Sequence, residues 1–276
     1  MQVNFFCPRW GFENMPWPEF IERVKQAGYY GIEWFPFSED VDPQEISALL
    51  KSNDLQLTIV MTVLGEYTTT DEYIRLLQAQ LAAHIEQFKP VFVTAQTGRE
   101  YFNHQQIQQC IDCCEQISKQ TGVPVYQETH RNKWAYSAHV VPPVLQKNEK
   151  LRITFDVSHW FCVSESYLED QQAAVSLAIE RAEHVHARVG HTQGSQVTDP
   201  AKPQHAQALA EHLAIWDKWI ERKRNERADY CTMTPEFGPP PYFTPLDDAP
   251  TWPEQWRINC WMKDLLHQRY NLNNNG

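Results

Sequence analysis

The sequence predicts an α/β protein built as a single (β/α)8 TIM barrel, and three observations carry that prediction. Eight short β-type runs alternate with amphipathic helical runs along the whole chain. The segments between the strands, roughly 10 to 24 residues of helix, are long enough to carry the chain back across the sheet and so make the strands parallel. No Gly-x-Gly-x-x-Gly turn follows any strand, and 276 residues suit one barrel, which favours closure over an open doubly wound sheet.

The strand runs are Val3 to Cys7, Gly31 to Phe35, Gln56 to Val63, Val91 to Ala95, Pro124 to Glu128, Arg152 to Asp156, His184 to Val189 and Cys231 to Glu236. The helical runs between and after them are Glu19 to Ala27, Pro43 to Ser52, Asp71 to Gln87, Gln105 to Gln120, Ala138 to Gln146, Gln171 to Ala182, Gln204 to Arg227 and Glu254 to Gln268. Helix starts are marked by Pro18, by Asp42-Pro43 with Glu45 in the first turn, and by Thr70 ahead of Tyr73 and Ile74. Gly28 and Gly122 mark stops. No linker or low-complexity tract breaks the pattern, so residues 1–270 read as one barrel and 271–276 as a frayed tail.

Composition narrows the partners. With 42% hydrophobic and 21% charged residues the chain can bury a large core, which excludes disorder. Its net charge of -11 repels phosphate backbones, so no nucleic-acid partner is expected. Met1 to Arg9 lacks a basic segment followed by an apolar stretch, and the run near Leu57 to Leu64 is too short for a bilayer. The expectation is a cytoplasmic protein with no membrane partner. Seven cysteines, with Cys110, Cys113 and Cys114 on one helix, read as reduced thiols packed in a core; a Cys110/Cys113 metal or redox pair has no second pair to complete it.

In a barrel the chemistry sits at the C-terminal strand ends. Glu128 ends the fifth strand, Asp156 the sixth, His186 lies on the seventh and Glu236 ends the eighth. Acids at strand ends also cap the helices that follow, but three carboxylates and an imidazole at one mouth repel without a cation. They read as ligands of one divalent metal, with oxygen-rich ligation favouring Mn²⁺, Mg²⁺ or Co²⁺ and admitting Zn²⁺.

Glu128 in Glu-Thr-His, the Asp156-x-x-His159 pair, His186 in His-Val-His and Glu236 in Glu-Phe-Gly together resemble the xylose isomerase-like TIM-barrel superfamily over the whole chain. That superfamily includes the sugar 3-epimerases, hydroxypyruvate isomerase, inosose dehydratase and AP endonuclease family 2. The resemblance implies a metal-dependent isomerase or epimerase acting on a small sugar or sugar-derived keto compound. It makes Glu128 and Glu236 the acid and base that move a proton beside a metal-bound carbonyl, and His159 a substrate contact. Dehydration from the same enediolate is the alternative. The nuclease relatives carry histidines where this chain has Met61, Thr62 and Gln96, and an Asp-x-His pair where it has Asp199-Pro200-Ala201, which argues against DNA repair. A non-catalytic sugar-binding module is a further alternative.

Period-two alternation puts His184, His186 and Arg188 on one face, with Arg188 above the metal ligand near His191; His130 shares a face with Glu128. Arg188 suits an anionic or polyhydroxyl substrate. Arg188, His130 and His191 read equally as groups that orient the carboxylates. Arg9, Trp10, Glu33 and Trp34 read as a wall for a sugar ring, with barrel core as the other reading of Trp34. The Pro239-Pro240-Pro241-Tyr242-Phe243 loop reads as a stiff polyproline II segment over the site, either a lid, a homodimer contact or a plain connector. Arg222-Lys223-Arg224 reads as a solvated helix terminus.

Overall fold

The computed structural model describes residues 1–244 and 250–272. All eight strands form: β1 (Gln2–Pro8), β2 (Gly31–Trp34), β3 (Gln56–Thr62), β4 (Val93–Gln96), β5 (Val125–Glu128), β6 (Ile153–Phe155), β7 (Ala182–His186) and β8 (Tyr230–Thr234). They close into a barrel in sequence order, every neighbouring pair parallel, with β8 returning to β1. The helices are α1 (Trp17–Gln26), α2 (Pro43–Ser52), α3 (Thr70–Phe88), α4 (His104–Thr121), α5 (Val141–Lys147), α6 (Val157–Ser164), α7 (Gln172–Arg181), α8 (Ala206–Asn225) and α9 (Trp252–His267).

The barrel interior is filled by side chains. Thr94 of β4 and Thr154 of β6 meet hydroxyl to hydroxyl at 2.8 Å, a contact that two strands separated by β5 make only through the interior. Lower down, His184 packs against Phe92 at 4.8 Å and Phe6 at 6.2 Å between ring centroids. Outside the sheet, Trp160, Trp216 and Trp219 are fully buried, and Trp219 Nε1 donates to the Ala182 carbonyl at the foot of β7. Cys110, Cys113 and Cys114 lie on the buried face of α4, and all seven cysteines are free.

Several local expectations are corrected. Thr69, not Thr70, caps α3: its hydroxyl accepts from Glu72 N while Glu72 reaches back to Thr69 N. Asn103 and Gln106 repeat that box on α4. The fifth and seventh helical runs open with 3₁₀ turns at Ala138–Val140 and Pro203–His205. α6 is an additional helix directly after β6; its eight residues, with Ser158, His159 and Ser164 among apolar ones, are too few to show an amphipathic period. The basic run is not a solvated terminus. Lys223 is buried and paired with Glu183, Arg222 bonds the Ile179 and Ala182 carbonyls, and Arg224 donates to the Tyr270 carbonyl. Of the expected frayed tail, residues 273–276 lie outside the described residues, while Asn271 is fastened to both the N–H and the carbonyl of Val3. The proline-rich segment closes a turn, with the Tyr242 N–H donating to the Pro239 carbonyl at 2.9 Å, so it is not the polyproline II run expected. Among the described residues no helix is long and apolar enough to cross a membrane.

Candidate metal centre

The barrel brings Glu128, Asp156, His186 and Glu236 together: each offers a donor atom, and those atoms all lie within 4.8 Å of one another. Glu128 ends β5 and His186 ends β7, while Asp156 and Glu236 stand just beyond β6 and β8. All four are buried. His186 Nδ1 is 3.2 Å from Glu128 Oε1 and 3.1 Å from Glu236 Oε2. Asp156 divides its work. Oδ1 caps α6 by accepting from the Ser158 N–H at 2.9 Å and the Ser158 hydroxyl at 2.5 Å, which leaves Oδ2 for the site.

The opposite ring nitrogen of His186 has its own acid. Nε2 lies 3.1 Å from Oε1 and 3.2 Å from Oε2 of Glu33, which rises from β2 and is nearly inaccessible. Glu33 Oε2 is in turn 3.4 Å from His184 Nε2, and His184 is held by Thr232 and Thr234 of β8. Glu33 thus does more than line the cleft: it lies directly against the metal-ligand candidate. Its only sequence signal is a carboxylate at the end of an otherwise apolar strand.

Arg188 lies past the end of β7 and spans two of the acids. Its Nε is 3.1 Å from Asp156 Oδ2, and its Nη2 is 2.5 Å from Glu236 Oε2. It does not associate with His191, which forms a tight backbone bridge with Gly194. Arg188 Nη1 is a buried donor with no hydrogen-bond partner among the described residues. The guanidinium also faces Tyr242, 4.7 Å from the ring centroid, and Arg131 faces the same ring at 4.7 Å.

A cleft of about 200 Å³ opens over these groups, walled by Trp10, Gln96, His130, Arg188, Glu236 and Tyr242, with Glu33 and Trp34 also lining it. Trp10 and Tyr242 meet edge to face at 5.3 Å, so the proline-rich loop contributes a wall. Trp34 is only 1% exposed and donates to Glu39, serving the core as well. Arg9 takes no part, being locked onto the same Glu39. His130 Nδ1 contacts the Arg131 carbonyl at 2.5 Å; a carbonyl only accepts, so the proton is on Nδ1 and Nε2 is left as an acceptor. His159 is fully buried. It packs against His130 with centroids 4.0 Å apart, and its Nδ1 accepts from Arg131 at 3.0 Å. Its Nε2 lies 3.6 Å from Asp156 Oδ2. Sequence reasoning missed Gln96, which donates to Glu128 Oε2 at 2.8 Å, and Arg131.

The protonation pattern is that of a cation site. Burial disfavours a charged imidazole at His186, yet Glu236, Glu33 and Glu128 outweigh it and hold its pKa well above 6.5. Burial alone would raise Glu128; the charge of His186 and its hydrogen bond, with His130 and Gln96, bring it down to about 2. Burial dominates at Asp156, and despite Arg188 its pKa rises to about 6, with Glu236 adding to the rise. Glu128, Asp156 and Glu236 therefore share the Arg188 guanidinium and the His186 imidazole as their positive charge. The donor set fits a divalent cation: one nitrogen, three oxygens, convergent and anionic.

No family model matches the chain, and no curated protein does. Solved structures do. The probable 3-DHS dehydratase AsbF from Bacillus anthracis is 18% identical, with a TM-score of 0.63 over 96% of this chain and 99% of that one. The 3-keto-D-glucoside 4-epimerase YcjR from E. coli is 14% identical, with a TM-score of 0.61 over 95% and 100%. The IolI protein with a binding zinc atom is 12% identical, with a TM-score of 0.64 over 98% and 99%. Such identities speak to the fold alone, and the fold these structures share with this chain is the (β/α)8 barrel.

Proposed function

We propose that the protein is a metal-dependent enzyme that moves a proton on the carbon beside a carbonyl of a small sugar or sugar-derived keto compound, as an isomerase or epimerase. The observation that carries this reading is the approach of Glu128 and Glu236 to one nitrogen, His186 Nδ1, at 3.2 and 3.1 Å from two non-adjacent strands. Two carboxylates so placed flank a substrate held in the cleft, one to take a proton and the other to supply one. The activities of two proteins of similar fold, a 3-keto-D-glucoside 4-epimerase and a D-psicose 3-epimerase, support the class of reaction.

Glu128, Asp156, His186 and Glu236 would hold the metal, which when bound supplies Lewis-acid polarisation of a carbonyl. The zinc of IolI agrees with the presence of a metal, and the oxygen-rich donor set favours Mn²⁺, Mg²⁺ or Co²⁺. Gln96 orients Glu128, and Arg188 holds Asp156 and Glu236 in place while keeping Nη1 free for a substrate oxygen. Trp10 and Tyr242 shield the cleft from water.

A dehydratase is the second reading. It is favoured by His130, whose Nε2 is an acceptor on the cleft wall and whose burial lowers its pKa, so that it stands neutral as a base separate from the ligand acids. A nuclease is disfavoured: Thr62 and Gln96 occupy the expected histidine positions, and Asp199 is paired with Arg257 at 2.7 Å.

The test is a screen of Mn²⁺-loaded protein against ketoses, aldoses and keto-sugar acids, with metal content measured in parallel. Turnover that disappears in Glu128→Gln, and metal that disappears in Asp156→Ala, is the expected result. Turnover unaffected by Glu128→Gln would refute the proton-transfer role.

A further inference from the structure

Resting on the metal-dependent reading above, we infer that Glu33 is a positioning residue that fixes the proton of His186 on Nε2 and thereby turns the Nδ1 lone pair toward the metal. The two ring nitrogens of His186 face different surroundings. Nδ1 faces Glu128 and Glu236, two of the three acids of the ligand set, whereas Nε2 faces Glu33, with both carboxylate oxygens at 3.1 and 3.2 Å. A metal ligand must offer a lone pair at Nδ1, so a neutral imidazole there must carry its proton at Nε2. That tautomer needs an acceptor at Nε2, and a carboxylate accepts only.

Glu33 is built for that role and for nothing at the surface. Only 3% of it is exposed, it comes from β2, and it contacts a ligand 153 residues away on β7. His184 Nε2, 3.4 Å from Glu33 Oε2, steadies it from below, and His184 is in turn anchored at 2.8 Å from Thr232 Oγ1 and 3.1 Å from Thr234 Oγ1. The chain Thr232–His184–Glu33–His186 thus runs inside the barrel and ends at the ligand. A carboxylate behind a ligating imidazole also raises the basicity of the ligand nitrogen, and losing such a partner typically costs roughly 10- to 100-fold in metal affinity.

Zn²⁺, diamagnetic and compatible with the donor set, is the probe. Competition with a chromophoric chelator should show Glu33→Leu binding Zn²⁺ roughly 10- to 100-fold more weakly than the wild type, with Glu33→Gln, which keeps an acceptor oxygen, recovering part of the loss. Independently of any variant, ¹⁵N-edited NMR of the Zn²⁺-loaded wild type should show the His186 proton on Nε2 and slow to exchange. Zn²⁺ affinity in Glu33→Leu within twofold of the wild type, or a His186 proton found on Nδ1, overturns this inference alone. Wild-type protein that takes up no Zn²⁺ overturns the metal reading and this inference with it.

Discussion

Arg188 Nη2 lies 2.5 Å from Glu236 Oε2, and this contact ties the end of β7 to the segment after β8 at the centre of the site. With its second bond to Asp156, the guanidinium acts as a built-in counter-ion for two ligand acids. Replacing it with methionine should leave both acids buried without their guanidinium, a loss on the order of 3–5 kcal/mol for a broken buried pair. Urea unfolding of metal-free protein checks this. Because a divalent ion supplies the missing positive charge, saturating Mn²⁺ should recover a large part of the loss. An Arg188→Met protein as stable as the wild type without metal would show that the pairing carries no energy.

Gly238 gives a steric handle on the cleft. A Cβ there would stand 2.4 Å from Cη2 and Cζ3 of Trp10, while Gln196 pins the Gly238 backbone on both its N–H and its carbonyl. The indole must therefore yield. Gly238→Ala should raise KM roughly tenfold with little change in kcat, as expected for a displaced cleft wall, and should leave metal content intact. Steady-state kinetics on the substrate found by screening, with elemental analysis, measure both; an unchanged KM would mean that Trp10 does not touch substrate.

Two histidines outside the site set an acid limit. Burial lowers His84 to about 4, and His212, despite its bond to the Ala208 carbonyl, also to about 4. The unfolded chain takes up protons near 6.5 while the folded one resists, so stability is fully present above 6.5 and is lost as pH falls toward 4. At pH 5 each costs on the order of 2 kcal/mol. His84→Leu, whose ring nitrogens have no partners and which packs 4.2 Å from Phe37, should flatten the fall between pH 7 and 5 in denaturant titrations. An unchanged slope would assign the acid limit to other groups.

The barrel was legible because each strand is a compact apolar run and each strand-end acid follows one: Glu128, Asp156 and Glu236 could be found by position alone. What stayed hidden depends on contacts that no local pattern encodes. Glu33 and His186 are 153 residues apart, so the sequence marks Glu33 only as an acid at a strand end. The division of Asp156 between capping α6 and facing the site likewise requires α6, whose eight residues are too few to show a helical period. Lys223 shows the converse error: helix-terminal cations usually meet water, but Glu183 on β7 draws this one inward.

The central claim is that Glu128 and Glu236 move a proton at the carbon beside a carbonyl, and solvent exchange reads it most directly. Metal-loaded protein incubated with candidate ketoses and keto-sugars in D₂O, followed by NMR, should place deuterium on that carbon even where net conversion is slight. Glu236→Gln should abolish the exchange with its secondary structure unchanged. A broad panel showing neither exchange nor water loss, or exchange that survives in Glu236→Gln, would contradict it.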